Sequence, residues 1–325
     1  MRVLVTGVSG FVGGHLAEHL IGAGDLVVGL SAGGRWPAGL GHLARAVRLE
    51  RGDLTAIPEG EFAALIARKQ PEVIYHLAAQ ANPQASLDDP RGTWALNLGG
   101  TLTLLEAVRG SGLKPRVVLV GSGVCYGNPA PEYLPVNESC PLRPNNPYSA
   151  SKGAADLLGV QHFLAHGTDV TIARPFNHAG PRQSPTYVLG GLARQVAEVE
   201  AGQKGRVEVG NLDIVRDFLD ARDVVRAYRL LATAEASRVA GEIFNVGSGR
   251  GTKLADALEI LRGLARRPIT VHVDPARVRP VDQPLLVADP DKLRRATGWA
   301  PRYSIEATLA DMLEEARQAV KLGGR

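Results

Sequence analysis

The chain has 325 residues, 45% of them hydrophobic and 22% charged, with Lys and Arg outnumbering Asp and Glu 37 to 33. That is enough to bury one broad two-lobed core, and basic residues scattered without a run argue against a nucleic-acid-binding stripe. No apolar run approaches a membrane span, and two cysteines, Cys125 and Cys140, give neither a disulfide framework nor metal-ligand spacing. No nucleic acid, membrane or metal is therefore expected as a partner.

In chain order, short apolar runs at 3–5, 26–30, 73–77, 117–120 and 170–173 alternate with helix-like segments at 11–23, 59–69, 93–109 and 147–166. Continuous Val/Ile/Leu runs separated by helices predict a parallel sheet covered on both faces, the doubly wound α/β (Rossmann-type) arrangement. Right-handed crossovers then bring the carboxyl ends of the strands to one edge, where ligands bind. The first strand follows no charged leader or cleavage site, and with two ordinary thiols this predicts a cytoplasmic protein. After about Asn177 the rhythm loosens: a helix is expected at 190–201, a strand at 206–209, a helix at 220–234 and a strand at 242–246. The expected organisation is a cofactor domain over 1–177, with 213–246 returning to it, and a smaller substrate lobe over 178–212 and 247–325.

Between the first strand and first helix stand Gly7, Gly10 and Gly13, with Phe11 and Val12 opening the helix. Glycines at this spacing permit a tight turn and close approach to a pyrophosphate, while the helix N-terminus offers free N–H groups. The second strand ends in Ser31-Ala-Gly-Gly-Arg35, with no acidic residue to hold an adenosine ribose by its hydroxyls. Ser31 and Arg35 can instead receive a 2′-phosphate, which favours NADP(H) over NAD(H). Asp53, followed by Leu54, is a candidate acceptor for the adenine amino group or a plain turn residue. His76 begins the segment His-Leu-Ala-Ala, where Leu77, Ala78 and Ala79 let the dinucleotide approach; His76 itself is expected to be packed rather than catalytic.

Tyr148 and Lys152 lie at i and i+4 after Pro147, on one helix face, and Ser122 follows the strand at 117–120. An ammonium beside a phenol favours the phenolate, so Lys152 is expected to depress the Tyr148 pKa and to bind the nicotinamide ribose. Ser122 is expected to hold the substrate oxygen.

With the glycine turn, His-Leu-Ala-Ala, Tyr-x-x-x-Lys and Arg174-Pro-Phe-Asn177, the chain resembles an extended short-chain dehydrogenase/reductase from end to end, in the nucleotide-sugar branch. Within that branch it is most similar to GDP-4-keto-6-deoxy-mannose reductases and their GDP-mannose 4,6-dehydratase relatives, through segments 174–181, 192–201, 210–218, 279–282 and 288–292. The resemblance implies a nucleoside-diphosphate sugar as substrate, a GDP-sugar by preference, with Arg216 and Arg279 on the diphosphate. It further implies Asn177 on a phosphate oxygen, Asp282 on the ribose and Arg194 near the base or phosphate. Helices 93–109 and 147–166 are expected to pair with those of a second copy in a four-helix homodimer.

Dehydratases of this kind place a carboxylate two positions after the strand-end Ser or Thr; here that position is Val124, which cannot carry a proton. Some reductases carry an acid there too, so Val124 opposes dehydration without defining reduction. Reduction at C4 is the favoured reading, with 4-epimerisation and 4,6-dehydration as alternatives and a non-catalytic nucleotide-sugar or NADP sensor as a remote one. Intact Ser122, Tyr148 and Lys152 oppose the sensor.

Overall fold

The computed structural model describes residues 1–277 and 284–323. The apolar runs become strands because Val, Ile and Leu fill both faces of a buried sheet. The first half contains β1 (Arg2–Thr6), α1 (Phe11–Gly22), β2 (Leu26–Ser31), β3 (Arg48–Arg51), α2 (Glu59–Lys69) and β4 (Val73–His76). Next come α3 (Pro83–Asp88), α4 (Pro90–Trp94), α5 (Gly100–Gly110), β5 (Arg116–Val120), α6 (Pro147–His166) and β6 (Val170–Pro175). A π turn at Ala95–Gly99 joins α4 to α5, so the helix expected at 93–109 is longer and carries one widened turn.

The remainder supplies β7 (Asn177–Ala179), α7 (Val188–Glu200), β8 (Val207–Val209), β9 (Val215–Arg216), β10 (Phe218–Asp220), α8 (Ala221–Thr233), α9 (Ala236–Val239) and β11 (Ile243–Val246). It ends with β12 (Thr252–Lys253), α10 (Leu254–Leu264), β13 (Val271–Val273), β14 (Leu285–Leu286), α11 (Asp291–Thr297) and α12 (Ile305–Gly323).

Seven parallel strands form the main sheet in the order β11-β6-β5-β4-β1-β2-β3. Strand order reverses between β1 and β4, whose ends meet in register as Thr6 opposite His76. A crevice opens at such a reversal beyond the strand ends, and it fixes where ligands bind. Cores on both faces hold the sheet: Val3, Val5, Tyr75 and Phe244 pack with α1 and α8 on one side, Leu4, Ile74, Leu119 and Ile172 with α2 and α5 on the other. A separate core, including Leu192, Val196, Leu258, Leu261, Leu309 and Leu313, joins α7, α10 and α12 over the parallel pair β8–β13.

Candidate active site

The cofactor end is built by the turn from β1 into α1. Gly7 has φ of 72°, and a Cβ there would stand 2.7 Å from the Ala78 backbone nitrogen, so only glycine lets β1 and the segment after β4 close together. A Cβ on Gly13 would lie 2.2 Å from the Gly7 carbonyl oxygen, which ties the helix tightly to its own turn. No side chain caps α1 and no acidic residue occupies its first turn. Its first-turn N–H groups, at Phe11, Val12 and Gly13, therefore open towards a cavity of about 1360 Å³ lined by Gly7, Gly10, Phe11, Val12 and Gly13. Backbone that a side chain would fill, and an uncapped positive helix end, fit a dinucleotide diphosphate.

Ser31, Asp53, Leu54, Leu77, Ala78 and Ala79 line the same cavity. Asp53 accepts from the Thr55 backbone N–H at 2.9 Å and its hydroxyl at 2.7 Å, and these bonds hold the carboxyl below its usual pKa. It is thus both a turn former and a cavity residue. Arg35 is exposed, beyond a turn closed by Gly34 N–H on the Ser31 carbonyl at 3.2 Å. His76 is packed as expected, between Thr6 Oγ1 at 2.8 Å and Thr101 Oγ1 at 3.1 Å; burial pulls its pKa down to about 3.

Ser122, Tyr148 and Lys152 converge on the cavity, and each is at most 9% exposed. Ser122 stands just beyond β5 in an extended conformation, and its oxygen accepts from the Val124 N–H at 3.4 Å. α6 starts firmly because the Asn146 side chain accepts from the Ser149 N–H at 2.9 Å while Ser149 Oγ reaches back. That cap sets Tyr148 and Lys152 in the first turns, facing β5. Burial lifts the Tyr148 phenol to about 12, with the nearby Ser122 hydroxyl pulling the other way. Burial outweighs any pull from Lys152, so the net shift is upward rather than the expected lowering. The Lys152 Nζ donates to the Val120 carbonyl at 2.6 Å, and burial lowers the ammonium to about 8, partly offset by Asp156.

At the substrate end, Asn177 and Arg216 line the cavity, and the Asn177 Oδ1 is buried without a hydrogen-bond partner. A ligand hydroxyl, or a phosphate with the amide turned over, would complete it. Arg216 owes its place to Asp217, which accepts from Ser248 N and Oγ at 2.8 and 2.6 Å, Gly249 N at 2.9 Å and Ala288 N at 3.2 Å. On α7 Val188, Gly191, Leu192 and Gln195 face the cavity, whereas Arg194 pairs with Glu198 one turn on at 2.7 Å. Arg279 and Asp282 lie outside the described residues.

Several cavity groups escaped the sequence reading. Gln183 Oε1 and Tyr228 Oη, both lining residues, are buried without partners. Arg277 also lines the cavity. Asn97, 1% exposed, bonds the Gln80 backbone at 2.8 and 3.1 Å and Ser151 Oγ at 2.9 Å, tying the strand-end segment to α6. The sole sequence signal for Asn97 is a lone polar residue within an apolar helical stretch.

A glycine turn at the β1/β4 reversal, with Ser, Tyr and Lys beyond β5, defines a short-chain dehydrogenase/reductase. Residues 4–312 match the family model described as GDP-mannose 4,6 dehydratase, and the chain belongs to that family. It is 34% identical to the GDP-6-deoxy-D-mannose reductase of Pseudomonas aeruginosa, over 98% of each chain. Among solved structures it resembles RMD from Pseudomonas aeruginosa complexed with NADPH, at 34% identity and TM-score 0.85, covering 98% of this chain and 99% of that one. It also resembles the Thermus thermophilus UDP-glucose 4-epimerase complex with NAD, at 29% identity and TM-score 0.85, covering 98% and 100%. The family thus spans nucleotide-sugar reductases, dehydratases and epimerases.

Proposed function

We propose that the protein reduces the C4 ketone of a nucleoside-diphosphate 4-keto-6-deoxy sugar, GDP-4-keto-6-deoxy-D-mannose by preference. NADPH is the favoured cofactor, with NADH as the alternative. The cofactor side comprises 1–177 with 213–246, and the nucleotide-sugar side 178–212 with 247–325. The observation that carries reduction over dehydration is the absence of a free carboxylate near Ser122 among the described lining residues. Val124 occupies the position where a dehydratase acid would stand, and Cys125 is a buried thiol pushed up to about 12. The carboxylates that do line the cavity are engaged: Asp53 with Thr55, Asp89 with the Gly92 N–H at 2.9 Å, and Glu208 with Arg277 at 3.3 Å.

A bound nicotinamide supplies hydride to the carbonyl carbon. Tyr148, protonated to about 12, donates the phenolic proton to the carbonyl oxygen, and Ser122 donates a hydrogen bond to the same atom. Lys152 holds positive charge behind the phenol and steadies the phenolate left after transfer. Gly7, Gly10, Phe11, Val12 and Gly13 hold the diphosphate of the dinucleotide, Leu77, Ala78 and Ala79 pass beside it, and Asp53 and Leu54 meet the adenine. Ser31, beside a strand end without an acid, supports the 2′-phosphate. Asn177 and Arg216 hold the sugar-nucleotide diphosphate, where guanidinium geometry suits phosphate.

The working unit in this reading is a cytoplasmic homodimer built on α4–α5 and α6. Supporting it, Leu102, Leu157 and Leu164 are exposed on these helices, and both cysteines are free and buried. Absorbance at 340 nm tests the reading: with the 4-keto sugar, NADPH should be consumed mole for mole with appearance of a GDP-6-deoxyhexose. Steady absorbance, with dehydrated or epimerised product from GDP-mannose or UDP-glucose, would refute it.

A further inference from the structure

His162 and His166 stand one turn apart on α6, so both imidazoles share a helix face, and Glu106 of α5 lies against them. His162 is 1% exposed; its Nδ1 has no hydrogen-bond partner, and its Nε2 lies 3.4 Å from Glu106 Oε1. His166 is exposed, its ring centroid 5.1 Å from that of His162 at an interplanar angle of 66°. One donor atom from each of the three residues lies within 4.8 Å of the other two. A tetrahedral zinc ion needs such atoms about 3.4 Å apart, since its bonds to nitrogen and carboxylate oxygen are about 2.0–2.2 Å. Closing that difference requires rotation of the exposed His166 and the half-buried Glu106.

We infer that Glu106, His162 and His166 form a binding site for a divalent transition metal ion, zinc in the first instance, with water completing the shell. Two imidazoles and one carboxylate suit zinc and exclude magnesium, which prefers oxygen alone. The site is separate from the chemistry: fourteen residues of helix, or about 21 Å at 1.5 Å per residue, divide His162 from Tyr148. Its effect is to clip α5 to the far end of the helix that carries Tyr148 and Lys152. Arg109 competes for the same carboxylate, donating from Nε to Glu106 Oε2 at 3.0 Å. An incoming ion must displace this exposed arginine.

Untagged full-length protein, freed of metal by chelator, is titrated calorimetrically with zinc chloride, and its melting temperature is read with and without zinc. One zinc per chain and a raised melting temperature are expected. Cobalt in place of zinc should give the visible absorption of a tetrahedral site. His166→Ala, at an exposed position that leaves the fold intact, should weaken zinc binding at least about tenfold and remove the melting shift, and Glu106→Gln should act in the same direction. Arg109→Gln should tighten binding by freeing the carboxylate, a change that adventitious surface binding would not show. NADPH oxidation by metal-free His166→Ala should match that of metal-free wild type. Equal zinc affinity in wild type and His166→Ala, no binding at micromolar zinc, or half an ion per chain would each overturn the site.

Discussion

Burial raises the pKa of a phenol and lowers that of an ammonium, and Tyr148 and Lys152 show both directions one helical turn apart. For a reductase this polarity is useful, because the phenol must carry its proton until the carbonyl oxygen takes it. Tyr148→Phe should bind NADPH as wild type does by fluorescence titration, yet lose about 10²–10⁴-fold in turnover. The pH profile follows from the same pair. Tyr148 keeps its proton to about 12, so activity should hold through neutrality and fall above about 8 as Lys152 loses its charge; stopped-flow kcat/KM between pH 6 and 10 reads that limb. Stability carries the opposite sign. A lysine whose folded pKa is depressed costs the fold its full penalty below about 8 and is relieved as pH rises towards its unfolded value. Lys152→Met should therefore be inactive but at pH 7 no less stable in urea, with a gain of up to about 3 kcal/mol less the Val120 bond it forfeits. Ser122, Tyr148 and Lys152 were legible because their spacing carries the chemistry. Asn97, Gln183 and Tyr228 were not, since their importance depends on which distant backbone or cavity they meet. The expectation for Tyr148 erred because helical neighbourhood alone does not report burial.

At the scale of elements, the β1–α1 turn and the capped start of α6 place the two halves of the site. Gly13→Ala forces a Cβ to within 2.2 Å of the Gly7 carbonyl, so α1 must shift from its own turn. We expect loss of about 1–3 kcal/mol of stability and loss of measurable NADPH binding by fluorescence; retained affinity would show that the helix end does not hold the diphosphate. Arg182 ties α1 to the segment after β7, pairing with both Glu18 oxygens at 2.6 and 2.7 Å. The buried strands and α2 and α6 were legible from apolar period, since a sheet covered on both faces leaves continuous Val/Ile/Leu runs. β3 at the sheet edge is only half-buried, so Arg48–Arg51 reads as polar. The π turn was invisible for a related reason: it sits where the Asn97 side chain bonds the Gln80 backbone and Ser151, long-range partners that helical period does not encode. The ion pair of Arg194 with Glu198 on α7 is likewise not encoded in the motif that singled Arg194 out.

Across the whole molecule, the strand-order reversal opens one crevice and the second core roofs it, so a single cavity runs from the α1 turn to Arg216. No helix among the described residues is long and apolar enough to cross a membrane. Leu157 and Leu164, 63% and 76% exposed and seven residues apart on α6, mark the face proposed to meet a second copy. Sedimentation at micromolar concentration should give a dimer, and Leu157→Glu with Leu164→Glu a monomer; a monomeric wild type would contradict that assembly. In the proposed reduction the cofactor is consumed rather than recycled. The mass of the product formed from GDP-4-keto-6-deoxy-mannose and NADPH, deuterated at nicotinamide C4 on the face that transfers, tests this. The expected product is a GDP-6-deoxyhexose carrying one deuterium at C4, one per NADPH spent. Product without deuterium, or turnover of a nucleotide sugar with no cofactor added, would contradict the proposed reduction.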